Sequence, residues 1–211
     1  MQTNEKTSLL SKIALALSTV FSPLVVPTLA LAITFMITPL AHFGNETFRF
    51  TACFIVFCIT TVVPVAVIAY LIRTGRVSDA AITNRRQRGV PYAIACACFM
   101  LAALYLAWVE MPHWMVMFFG GACFATLSAT IINIVWKISA HMITMGGLVA
   151  LMAYFAINNL YIVAILPWLA GTIVASGLVG SARLLLRRHT PAQVYAGWGF
   201  GLIVELVFLY L

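Results

Sequence analysis

Acidic side chains are almost absent from this sequence. Asp and Glu number five in 211 residues: Glu5, Glu46, Asp79, Glu110 and Glu205. No two are close in sequence, whereas a magnesium-dependent phosphotransfer site needs clustered carboxylates, so no metal or other cofactor is expected. Charge of either sign is scarce. Charged residues make up 8% of the chain, against about 25% in soluble domains, which excludes a soluble globular protein. No Cys-x-x-Cys pair occurs. Cys53, Cys58, Cys96, Cys98 and Cys123 all lie in apolar runs without plausible metal partners, and they read as small packing residues. Internal repeats and low-complexity tracts are missing. The period-two alternation of a transmembrane barrel is missing too.

What remains is 64% hydrophobic and falls into long unbroken apolar runs. Seven segments stand out: 13–40, 50–72, 91–109, 114–136, 139–157, 160–186 and 191–211. A span needs about 20 residues. The expected fold is therefore all-α: a polytopic transmembrane bundle of about seven spans, one domain over 1–211. The first segment is over-long and holds Pro23, Pro27 and Pro39, so a kink or tilt is expected there. It is also too long for the core of a cleaved signal peptide, and reads as a retained span.

Tracing the spans brings three polar clusters to the N-terminal side of the membrane: 84–91 (Asn-Arg-Arg-Gln-Arg-Gly-Val-Pro), 137–141 (Lys-Ile-Ser-Ala-His) and 183–189 (Arg-Leu-Leu-Leu-Arg-Arg-His). Of 12 Lys and Arg residues, 11 fall on this side and only Arg49 on the other. The positive-inside rule makes that side cytoplasmic, and a bacterial inner membrane is the expected location. The net charge of +7 sits beside membrane ends, so the expected partners are membrane lipids and an anionic lipid phosphate, with no nucleic acid.

Each cluster has phosphate chemistry in it. Thr190-Pro191-Ala192-Gln193 is a helix start with a capping box, and it sets His189 at the mouth of the last helix, six residues after Arg183. A neutral imidazole there can attack phosphorus while the arginine neutralises the phosphoryl oxygens. Ser139 can cap the fifth helix. The amides of Ala140 and His141 would then point outwards at an anion, and His141 can act as general acid. Arg85 and Arg88 share a face if their loop is helical, and guanidinium forks grip phosphate bidentately. Blander readings stand beside these. Arg187 and Arg188 read as interfacial anchors, and Gln193 reads either as a cap alone or as a partner of His189. Glu205 lies about 24 Å along the last helix from His189 and is expected near the opposite interface.

Taken together and in order, these clusters resemble the three motifs of the type 2 phosphatidic acid phosphatase superfamily: Lys-x6-Arg-Pro, Pro-Ser-Gly-His and Ser-Arg-x5-His-x3-Asp. The third is matched by Ala182-Arg183, five residues, His189, three residues and Gln193. The second appears as Ile138-Ser139-Ala140-His141, and the first is degenerate around Arg88 and Pro91. The resemblance covers about residues 85–201. It implies a membrane lipid phosphatase in which His189 forms a phosphohistidine, His141 is the acid, and Arg85, Arg88, Ser139 and Arg183 hold the phosphate, with Lys137 standing in for the missing lysine. Ala140 replaces the glycine of the second motif, and Gln193 replaces the aspartate that orients the nucleophile. Gln193 favours an alternative, a non-catalytic lipid-phosphate binder or carrier on the same scaffold.

Overall fold

A computed structural model describes residues 9–80, 82 and 84–211, without the side chain of Arg85. Nine α-helices lie in the described part: α1 (Leu9–Val20), α2 (Val26–Ile37), α3 (Glu46–Phe57), α4 (Val63–Arg73), α5 (Gly89–Trp108), α6 (His113–Val135), α7 (Ala140–Ile157), α8 (Ile165–Leu185) and α9 (Pro191–Leu209). Six stretches are long and apolar enough to cross a membrane: α3 and α4 together as Glu46–Arg73, and α5 to α9 singly. The segments expected from residue 50 onwards match these within about five residues at each end. The protein is an integral membrane protein by this criterion.

The first segment departs from expectation. It divides into α1 and α2, of 12 residues each, or about 18 Å apiece. The break falls at 21–25, where Pro23 has no backbone N–H to give and Ser22 O instead accepts from the amides of Val25 and Val26 at 2.9 and 3.0 Å. A second irregularity holds the break in place. Residues Cys58–Val62 form a wide i→i+5 turn just before Pro64, a proline that cannot donate to the regular ladder. On this turn Thr61 donates to Leu24 O at 2.7 Å, and the Thr28 and Thr60 hydroxyls lie 3.2 Å apart.

The centre of the bundle is α7. Twelve of its 18 residues are buried, and glycines let α9 lie directly on it. A Cβ on Gly146 would strike the Trp198 carbonyl, and one on Gly201 would strike that of Ile143. One on Gly197 would come within 2.8 Å of the Ser139 carbonyl. Gly197 and Gly201, four residues apart, thus serve close helix packing. The first segment touches both ends of α7. Ser18 O meets His141 at its start, and Ile37 O accepts from Ile162 N, in the turn that follows its end, at 2.8 Å.

Glu205 is a correction to the sequence reading. It is 4% exposed and packs against Gly121 of α6 and Gly147 near the middle of α7, not at the opposite interface. Side chains on a helix lean toward its N-terminus, which carries this carboxyl back into the bundle.

Candidate functional site

One cavity of about 170 Å³ opens at the end of the bundle where the three clusters converge. Its walls include Arg88, Ala140, His141, Arg183 and His189, then Tyr92, and deeper in, Ala95, Phe99, Ala125, Ala129 and Ile143. No carboxylate is among them. Arg88 and Arg183, 5% and 6% exposed, therefore line a partly apolar space that has no acid in its walls.

His189 owes its position to two helix ends. α8 stops at Leu185, and Arg187 adopts the left-handed conformation (φ 49°). Leu186 and Arg188 amides return to the carbonyls of Ala182 and Arg183 at 3.0 and 3.1 Å. The chain then re-enters helix at Thr190, whose Oγ1 accepts from Gln193 N at 3.4 Å. Gln193 Oε1 accepts from Thr190 N at 3.3 Å and also lies 3.1 Å from His189 Nδ1. The first bond fixes the amide orientation, because only oxygen accepts from a backbone N–H. The second then fixes the tautomer: Nδ1 carries the proton and donates, and Nε2 keeps a free lone pair. Gln193 is both cap and imidazole partner. Burial, then the neighbouring Arg183 charge, push the His189 imidazolium down to about 3, with Lys137 and Arg88 adding to this and the Gln193 bond opposing it. His189 is neutral at any physiological pH.

Arg183 sits in the last turn of α8, and its Nε is buried without a partner. Arg88 is anchored differently. Its Nε donates to Ile82 O at 2.9 Å, while Nη1 lies 3.5 Å from Tyr92 Oη, Asn133 Oδ1 and the Ile138 carbonyl alike. Those three contacts sit at the outer limit of a hydrogen bond, so an anion can displace them without loosening the Nε anchor. Ile82 holds a left-handed backbone (φ 46°), a strained state for a β-branched residue that persists only when its surroundings impose it. Here that backbone turns the carbonyl to Arg88.

His141 begins the first turn of α7 with its Nε2 at 3.0 Å from Ser18 O. A carbonyl only accepts, so Nε2 is protonated and Nδ1 is the position open in the neutral ring. Ser139 does occupy the N-cap position, but its hydroxyl makes no capping bond. That hydroxyl is buried without a partner, the Ser139 backbone lies against Gly197, and the residue is outside the cavity walls. Lys137 is also outside the walls. Burial first, then Arg88, Arg183 and Arg188, lower its ammonium pKa, with Asp79 working against them. The backbone of Arg85 opens the short 3₁₀ turn Arg85–Gln87, and its side chain lies outside the described residues. Among the described residues no three His, Cys, Asp or Glu side chains gather where they could hold a metal ion.

The sequence reading missed Tyr92, Asn133, Ile82 and Ser18. Asn133 had a signal: it is an amide inside an apolar span, 6% exposed, four residues before Lys137. Tyr92 stands four after Arg88, one helical turn along. Ile82 and Ser18 act through backbone carbonyls and leave no mark in a sequence. No family model, curated protein or solved structure matches the chain.

Proposed function

We propose that this protein is a membrane phosphatase that hydrolyses a lipid phosphate or pyrophosphate through a phosphohistidine, without metal. The observation that carries the reading is the cavity: two buried arginines and two histidines, no acid, and apolar walls leading inward. A buried cationic space of this kind is costly unless an anion fills it, and the apolar walls suit a chain attached to that anion. The motif resemblance supports the same chemistry.

In this mechanism Nε2 of His189 attacks phosphorus, the P–O bond to the lipid breaks, and a P–N bond forms. Arg88 and Arg183 carry the non-bridging oxygens, with Arg183 Nε–H gaining the acceptor it lacks. The Ala140 amide at the start of α7 adds a donor, and Lys137 and Arg85 strengthen the positive field. Ser139 takes part only if its hydroxyl reorients toward the cavity. Ser18 O holds Nε2–H of His141, so its open Nδ1 takes the proton that a phosphate monoanion brings into the cavity and passes it to the departing oxygen. Water then attacks phosphorus, the P–N bond breaks, and the proton this water loses passes to Nδ1 of His141 and leaves with the phosphate, so both histidines return to their neutral forms.

The first segment crosses the membrane as a seventh, broken span, because α1 and α2 together reach both ends of α7. The charge bias sets the site on the cytoplasmic face of a bacterial inner membrane. A second reading, a lipid-phosphate binder without turnover, is favoured by the amide of Gln193 where the resembled motif has a carboxylate. Purified protein in detergent with chelator decides between them. Phosphate release from a panel of phosphatidic acid, phosphatidylglycerol phosphate and polyprenyl phosphates supports hydrolysis, and saturable binding without release supports the binder.

A further inference from the structure

Below the cationic cavity lies a second, smaller chamber of about 30 Å³, and Glu205 is part of its wall. Phe99, Ala125, Thr126, Ile143 and Thr144 line both spaces, so the chamber adjoins the cavity across these side chains. The space for the carboxyl is carved by two glycines. A Cβ on Gly121 would come within 2.5 Å of Oε2, and one on Gly147 within 2.7 Å of Cγ. Oε2 is nevertheless buried with no hydrogen-bond partner. An ionisable group so deep in a membrane bundle is a functional candidate by default.

The chemistry around it narrows what it binds. The chamber walls come from α2, α5, α6, α7 and α9, and Glu205 is the only titratable or charged side chain among them. The Thr126 and Thr144 hydroxyls spend their protons on the carbonyls of Ala122 and Ala140, at 2.8 and 3.0 Å. Their oxygens can therefore only accept. A bare carboxylate among acceptors and hydrocarbon is strongly unfavourable. An alkali ion would need more oxygen ligands than one carboxyl and two hydroxyls provide. A proton needs only the carboxyl. A water beside it needs about 10–15 Å³ and two or more polar partners, and the chamber offers both.

We propose that Glu205 and chamber water form a proton-holding site that exchanges with the phosphate cavity above it. The proton sits on the carboxyl, passes to the chamber water and returns by the same route, with no other bond made or broken. Glu205 is not a catalytic residue in this account. It gives the cavity a polar, proton-exchanging floor near the middle of the bundle. Because both spaces share walls, filling the upper one changes the hydrogen bonding of the lower.

Infrared difference spectroscopy on the full chain in detergent tests this. The expected result is a protonated-carboxyl C=O band in the wild type that shifts in D2O and on addition of orthovanadate, and that is missing in Glu205→Gln. Should that variant fail to fold, wild-type protein grown with side-chain-carboxyl-¹³C glutamate assigns the band to a glutamate by its isotope shift, and Glu46 and Glu110 are exposed whereas Glu205 is buried. Absence of such a band overturns the proposal, as does a band that does not exchange in D2O, which describes a sealed structural acid. The D2O arm requires no phosphate binding. A protein that exchanges this proton but ignores vanadate would count against the phosphatase reading and leave the proton site standing.

Discussion

The two arginines of the cavity reach it by opposite routes. Arg183 belongs to a compact unit of 11 residues in which α8 ends, the chain turns through Arg187, and a capping box starts α9. Every bond that shapes this unit is local. Arg88 comes from a loop and is held by Ile82, six residues back, and by Asn133 and Ile138, 45 and 50 residues on. Arg183 is left with an unpartnered Nε, whereas Arg88 is supported on several sides. Under the proposed function Arg183 would be a ligand with a donor to spare, and Arg88 a ligand that also ties the loop to α6.

Breaking the local unit should have the largest effect. His189→Ala is expected to remove turnover by about 10⁴–10⁶, as loss of a nucleophile does. His141→Ala should cost about 10²–10⁴ and, unlike His189→Ala, recover with a nitrophenyl leaving group, which needs little protonation. Similar responses of both variants to that substrate would sink the assigned roles.

The arginines should separate next, in melting temperature rather than rate. Both alanine variants are expected to lose activity by about 10²–10³. Arg88→Ala also leaves Ile82 O without its donor and should lose about 1–3 kcal/mol of stability. Arg183→Ala removes a buried charge with an unsatisfied donor, and its melting temperature should hold or rise. Thermal unfolding of the pair measures this contrast, and equal destabilisation would erase it. Asn133→Ala loosens only one long contact of Arg88. It should raise KM about threefold to tenfold, worth about 1 kcal/mol, with kcat nearly unchanged in steady-state assays.

The smallest effect is a shift in pH. In Gln193→Glu a carboxylate faces His189 Nδ1–H and favours the imidazolium, so the ring pKa rises from about 3. The neutral ring is the reactive form, and therefore the acid limb of kcat/KM should move to higher pH. Glutamate also completes a capping box, so stability should hold. An unchanged profile would reduce Gln193 to a cap.

The same contrast explains what the sequence made legible. The helix start at Thr190, its capping box, and the Arg183–His189–Gln193 spacing were readable because their physics spans a few residues. Six long spans were readable from apolar length alone. The split of the first segment was half visible: its prolines announced a kink, but the tie from Thr61 to Leu24 that fixes the break depends on a wide turn 37 residues away. The anchoring of Arg88 was invisible because it rests on backbone carbonyls and on a strained Ile82. Glu205 was misjudged because distance along its own helix says nothing of the glycines on α6 and α7 that admit it. Ser139 was judged right for position and wrong for its bond: it holds the N-cap place, but its hydroxyl is buried without a partner.

If His189 Nε2 is the atom that accepts phosphate, rapid-quench labelling will trap it there. Protein in detergent with chelator is mixed with a ³²P-labelled lipid phosphate, quenched in base within milliseconds, and digested for mass spectrometry. The expected product is a phosphoramidate on His189, stable in base and lost in acid, that builds up before steady state and is absent in His189→Ala. Phosphate release without any phosphoprotein, or label on another residue, would contradict it.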